Sequence, residues 1–137
     1  MDAYTFFEVL CNQEASMAKA YHTLAGKSIE WTGVHYSEHG DFKDISTHVV
    51  SYETEKTCYV TAGGKLVGEA SYIYKKLNDR MAIVVYRPKL YQGRTDVVLY
   101  AMLDFAQSTD RAVIVSGSDP FAVADGTMRE VATPPRP

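Results

Sequence analysis

Asp79, His35 and Tyr36 suit acid-base catalysis by residue type and by setting in this chain. Asp79 closes Leu77-Asn78-Asp79, a tight turn between two strand-like segments. A carboxyl facing an apolar interior has its pKa raised by desolvation and can donate a proton near neutral pH. The plainer role for the same residue is a turn aspartate bonded to its own backbone. His35 and Tyr36 are neighbours in an alternating stretch and so stand on opposite faces of one strand. Tyr59, Tyr72, Tyr74, Tyr86 and Tyr100 lie in β-branched segments rather than loops, with Trp31 nearby. A buried phenol needs a hydrogen-bond partner, so tyrosines converging on one interior point to a pocket for a polar or aromatic small molecule. The candidate substrate-binding residues are Trp31, Tyr59, Tyr72, Tyr86, Arg87 and Tyr100, and Glu69, Asp96 and Asp104 complete the ionisable candidates.

Other chemistries lack their motifs. Gly63-Gly64-Lys65 does not have the spacing of a phosphate-binding loop, no helical pattern follows it, and it reads as a hairpin turn. His22, His35, His39 and His48 form neither a two-His helical pair nor a Cys/His cluster, so no metal and no organic cofactor is expected. Ser116 lacks the strand-turn-helix setting of a nucleophile elbow.

Periodicity defines the elements that carry these groups. Phe6, Leu10, Met17, Tyr21 and Leu24 describe an amphipathic helix over 3–24, ended by Gly26. From Lys27 the period becomes two, and turn residues divide the chain into about eight strands over 27–132. Their expected spans are 28–36, 45–54, 57–62, 67–77, 80–87, 95–105, 111–117 and 122–132. Short connections with no helical crossover favour antiparallel neighbours. The expected fold is a mainly β, lipocalin-like up-and-down barrel of one domain, with the helix covering a mouth or packing outside. A curved sheet cradling the helix is the alternative. The sequence leaves open which face of each strand points inward. On the sixth strand the mixed face carrying Tyr100 suits a cavity lining, and the apolar face of Val97, Leu99, Ala101 and Leu103 would pack under the helix. Pro134, Pro135 and Pro137 cannot join a ladder, so 133–137 reads as a loose tail.

Composition narrows the partners. At 137 residues and 46% hydrophobic, the chain can bury one core of ordinary size. A net charge of -3 with Lys and Arg scattered among Asp and Glu offers no basic face for nucleic acid. Cys11 and Cys58 form no disulfide framework and suit a reducing compartment, and no membrane span is visible, so a cytoplasmic location is expected.

Three stretches carry a family resemblance. The first is Tyr59-Val60-Thr61-Ala62-Gly63-Gly64-Lys65-Leu66-Val67-Gly68. The second is Leu77-Asn78-Asp79 before Met81 to Arg87, and the third runs from Thr95-Asp96-Val97 to Leu103-Asp104-Phe105. With Gly26 and Tyr36-Ser37-Glu38-His39-Gly40, the chain over roughly 25–117 resembles the bacterial phenolic acid decarboxylases and the related MoaF-like proteins. The resemblance implies a small lipocalin-like barrel holding a ligand. It also implies tyrosines on the first strand, an arginine before the Gly-Gly turn and a glutamate at the start of the fifth strand. Tyr36 matches one tyrosine, Asp79 stands in the glutamate's place, and Val60 stands where the arginine would be. Losing that cation removes the group that would hold a carboxylate. The expected function is a cofactor-free lyase, isomerase or cyclase acting on an aromatic or polyketide-like compound. The rivals are a non-catalytic carrier of an aromatic or hydrophobic ligand and a homodimerising interaction module.

Overall fold

A computed structural model of the chain describes residues 17–37 and 44–137. The strands are β1 (Ser28–Ser37), β2 (Ser46–Tyr52), β3 (Thr57–Ala62), β4 (Lys65–Lys76), β5 (Met81–Pro88), β6 (Val97–Asp104), β7 (Thr109–Ser116) and β8 (Asp119–Val131). Each pairs antiparallel with the next, and β8 returns to β1 in a register running from Ser28↔Val131 to Ser37↔Ala122, which closes the barrel. Closure leaves no sheet edge to template association. One of the two-residue connections is Ala62-Gly63-Gly64-Lys65, where φ is +59° at Gly63 and +78° at Gly64. A two-residue hairpin turn that matches strand twist needs positive φ at both central positions, and glycine takes it without strain.

The helix expected over 3–24 does not form over 17–24, and its earlier part lies outside the described residues, as does Cys11. Ala18 adopts φ +65°, and the chain then crosses one end of the barrel without helix or strand, bending at Lys19 and His22. The Ala20 N–H donates to the Asp79 carbonyl at 2.8 Å, and the Tyr74 hydroxyl donates to the Tyr21 carbonyl at 2.5 Å. Bonds to the β4–β5 end thus replace those a helix would make within itself. The apolar residues with helical spacing are buried by this route instead. Leu24 is fully buried and the Tyr21 ring meets Phe105 edge-on at 5.0 Å.

Inward positions divide the interior into two halves. Toward the end crossed by 17–24, large side chains fill the space: Leu24, Tyr52, Tyr72, Leu103, Phe105 and Met128. Toward the other end the inward positions are small, with Ala62, Gly68, Ala70, Ala101, Ala112 and Ala124 on the walls of an open space. Side-chain size along the strands therefore decides that this half is a cavity and the other a packed core.

On β6 the inward face is the apolar one, Val97, Leu99, Ala101 and Leu103, which reverses the expectation that Tyr100 lines the cavity. Burying the continuous apolar face inside the barrel is the favourable choice. The Pro-rich tail is docked rather than loose. The Arg136 guanidinium sits 4.6 Å from the Tyr59 ring centroid and pairs with Glu53 at 2.9 Å and Glu69 at 3.2 Å. Among the described residues no helix is long and apolar enough to cross a membrane.

Candidate functional site

The small-residue half of the barrel holds a cavity of about 320 Å³. Its mouth is framed by the start of β2, the β3–β4 hairpin and the β5–β6 connection, through Ser46, Thr47, Ala62, Val67, Leu90 and Tyr91. Its polar groups include Trp31, His35, His48, Tyr86 and Asp110.

Trp31 comes from β1, where it shares the inward face with Ile29, Gly33 and His35. Its ring lies so close to the β1 and β8 backbones that two glycines are required. A Cβ on Gly126 would stand 2.4 Å from the indole Cε2 and Nε1, and one on Gly33 would stand 2.3 Å from the Asp125 carbonyl oxygen. The indole N–H donates to the Asp110 carbonyl at 3.0 Å. The His48 imidazole stacks on the indole at 5.0 Å, and the His35 ring tilts against it at 5.1 Å. Burial lowers both histidine pKa values, that of His48 to about 4 with His35 contributing, so His48 is neutral at physiological pH.

Asp110 is the second residue of β7 and shares the inward face with Ala112 and Ile114. Its carboxylate accepts no hydrogen bond from the described residues, and burial alone pushes its pKa up to about 7. Asp110 is half-buried on the cavity wall, and the loss of surrounding water on that wall is what disfavours its charged form. Close by, the hydroxyls of Tyr52 and Tyr86 are 2.5 Å apart. Burial first, and the Asp110 charge as a smaller cause, hold both phenols protonated. Tyr52 is 2% exposed and packs edge-on to Tyr72, whereas Tyr86 reaches the cavity wall. Cys58 also lines the cavity, and burial raises its thiol pKa to about 12, which makes it a poor nucleophile.

Of the residues singled out from sequence, Trp31, His35, Glu69 and Tyr86 line this cavity, the Glu69 carboxylate being paired with Lys89 at 3.4 Å and Arg136 at 3.2 Å. Tyr72 is one layer further into the core, its hydroxyl donating to the Thr54 carbonyl at 2.5 Å. Tyr59 is on the outer wall beneath the tail, its hydroxyl donating to the Pro134 carbonyl at 3.3 Å. Tyr36, Arg87 and Tyr100 are exposed outside the barrel. Asp79 is also outside: its side chain is 86% exposed at the β4–β5 turn, 3.5 Å from Lys76, at the end away from the cavity mouth. Asp104 is held by the Arg80 guanidinium, with Nη2 to Oδ2 at 2.8 Å, and Asp96 accepts from Ser116 at 2.9 Å. The cavity acid without an ion-pair partner among the described residues is therefore Asp110, which from sequence reads as part of a turn. The signal that could have found it is the inward row Asp110, Ala112, Ile114, one acid in an otherwise apolar alternation. His48 and Tyr52 escape sequence reasoning for a different reason: the β1–β2 register sets His48 opposite Trp31, and the curvature of the barrel brings Tyr52 on β2 to Tyr86 on β5.

Among the described residues no group of His, Cys, Asp or Glu is placed to hold a metal ion. No Lys or Arg among them lines the cavity, and Val60, at the position where the resemblance implies an arginine, is part of its wall.

No family model and no curated protein matches the chain. A crystal structure titled a "putative beta-lactamase" from Burkholderia vietnamiensis is similar, with a TM-score of 0.56 and 19% identity. The match covers 79% of this chain and 95% of that one. A likeness at that identity speaks for a shared barrel fold and carries no activity across.

Proposed function

We propose that this protein is a cofactor-free enzyme of the cytoplasm, built on a lipocalin-like barrel. It would isomerise, cyclise or cleave a small aromatic or polyketide-like compound by proton transfer, with Asp110 carrying the proton. The observation that supports this most is the Asp110 carboxyl standing in an apolar cavity with no hydrogen bond from the described residues. A carrier needs only apolar lining. A carboxyl held against apolar walls without an ion-pair partner costs stability, and such groups concentrate where chemistry uses them. With a pKa of about 7, both its forms are populated at neutral pH, which suits an acid-base catalyst.

In the simplest sequence the ionised Asp110 takes a proton from a carbon next to a carbonyl, breaking the C–H bond and leaving its electron pair in an enolate. The same carboxyl then returns the proton to that carbon or to a conjugated one, which gives isomerisation. If the enolate instead expels a β-substituent with its bonding pair, which takes up the proton from Asp110, the product is that of a lyase; if the enolate carbon attacks a second carbonyl of the same compound, whose oxygen takes up that proton, a ring is closed. Exclusion of water by the apolar walls strengthens the electrostatic interactions that the step depends on.

The test is exchange of the α-protons of α-tetralone, a bicyclic aryl ketone, in D₂O with the full chain. The wild type should exchange them faster than buffer, and Asp110→Asn should remove the acceleration while still binding the ketone. Binding without acceleration in the wild type would favour the carrier reading.

A further inference from the structure

We infer that the cavity takes an uncharged compound whose carbonyl oxygen accepts a hydrogen bond from the Tyr86 hydroxyl, with Tyr52 behind it as a positioning residue, and that it turns away carboxylates. The reaction of the bound compound rests on the proposed acid-base reading, whereas its binding does not.

The direction of the tyrosine pair comes from its surroundings. Tyr52 is buried in the core, and its hydroxyl has the Tyr86 hydroxyl as its partner among the described residues, at 2.5 Å. If Tyr86 were the donor in that bond, the Tyr52 proton would be left buried without an acceptor, which is the costly arrangement. With Tyr52 donating, no buried proton is stranded, and the Tyr86 proton is free to point where its side chain already stands, on the cavity wall. A hydroxyl that accepts one hydrogen bond becomes a better donor of the next, so Tyr52 both orients Tyr86 and strengthens it. The pair is thus a preset donor aimed at a ligand oxygen, of the kind that stabilises negative charge developing on a carbonyl.

The charge preference comes from the walls. The ionisable groups facing the cavity are Asp110 from β7, Glu69 from β4, His35 from β1 and His48 from β2. Burial works against a positive charge on either histidine, the ionised Asp110 repels an anion, and the cations beside Glu69, Lys89 and Arg136, are already taken up by it. A ligand carboxylate would lose its water and gain no counter-charge from the described residues. Val50, Leu99, Ala101 and Ala112 offer apolar contact to a hydrocarbon skeleton instead.

The sequence has one tryptophan, Trp31, so its indole N–H resonance in ¹⁵N NMR reports on the cavity without ambiguity. The full chain would be titrated with α-tetralone, with tetralin, which has the same outline and no oxygen, and with a tetralin carboxylate. We expect α-tetralone to bind roughly tenfold more tightly than either of the others, the scale of one well-placed hydrogen bond. Tyr86→Phe and Tyr52→Phe should each bring α-tetralone down to the affinity of tetralin and leave tetralin unchanged, which a mere packing defect would not do. If either variant fails to fold, the ranking of the three compounds on the wild type still decides. Carboxylate binding as tight as the ketone's, equal affinities for ketone and hydrocarbon, or no ketone binding at millimolar concentration would each overturn the inference. Ketone-selective binding without α-proton exchange would leave it standing and defeat the enzyme reading alone.

Discussion

The indole N–H of Trp31 on β1 donates to the backbone carbonyl of Asp110 on β7, 3.0 Å away, across the barrel interior rather than between neighbouring strands. The bond fixes the peptide that carries the cavity's acid, and the close approach of the indole to Gly126 keeps the ring in place. Sequence, packing and the placement of the acid meet at this contact.

Trp31→Phe keeps an apolar ring but removes the donor and part of the buried area. It should destabilise the chain by roughly 2–4 kcal/mol in urea unfolding. Gly126→Ala should cost a comparable amount, because its Cβ would need the space of the indole. Unfolding curves matching the wild type for both would show that the indole is not held as described.

Asp110 should also be visible in the pH dependence of stability. Its folded pKa of about 7 lies above the ordinary 3.8. Between these values the unfolded chain has released the proton and the folded chain still holds it. Stability contributed by the protonated form is therefore fully present below about pH 4 and lost as pH rises to about 7, at no more than about 1.4 kcal/mol per pH unit. His48 runs the other way. Its folded pKa is lowered from 6.5 to about 4, so its contribution is present above 6.5 and lost as pH falls toward 4. Comparing Asp110→Asn with the wild type isolates the first effect: the variant's relative stability should climb between pH 4 and 7 and then level, by up to about 4 kcal/mol in all. Parallel stability curves would mean that the carboxyl is not desolvated.

Filling the cavity should separate binding from folding. Ala112 sits on the inward row beside Asp110, and Ala112→Leu places a branched side chain in the open space. The variant should fold with a stability change of less than about 1.5 kcal/mol, since the added carbons enter a void rather than a packed core. It should lose α-tetralone binding, followed through the Trp31 indole resonance.

The strands are legible in the sequence because period-two alternation and turn residues such as Gly63-Gly64 are local signals, and each observed strand falls near its expected span. The segment 17–24 is not, because Met17, Tyr21 and Leu24 have helical spacing yet serve a chain that crosses the barrel end, with its hydrogen bonds going to Asp79 and Tyr74. Tertiary packing decides between those two uses of one apolar pattern. Trp31, His35 and Tyr86 can be named from residue type and strand setting. Asp110 is hidden because it directly follows Ser108 and Thr109, which read as a turn, and Asp79 draws attention because its turn is conspicuous. Which tyrosines meet depends on barrel closure and strand tilt, and no local window of sequence encodes that.

The most direct measurement is the pH profile of α-proton exchange of α-tetralone in D₂O, taken on the wild type, Asp110→Asn and Asp79→Asn. With Asp110 as the base, acceleration by the wild type should rise with the ionised fraction of a group of pKa about 7 and level above it. Asp79→Asn should follow the wild type, because that carboxylate is on the surface beside Lys76. Asp110→Asn should show only the rate of buffer at every pH. Acceleration that survives Asp110→Asn, or a wild-type profile no different from buffer, would contradict the assignment of Asp110 as the proton carrier.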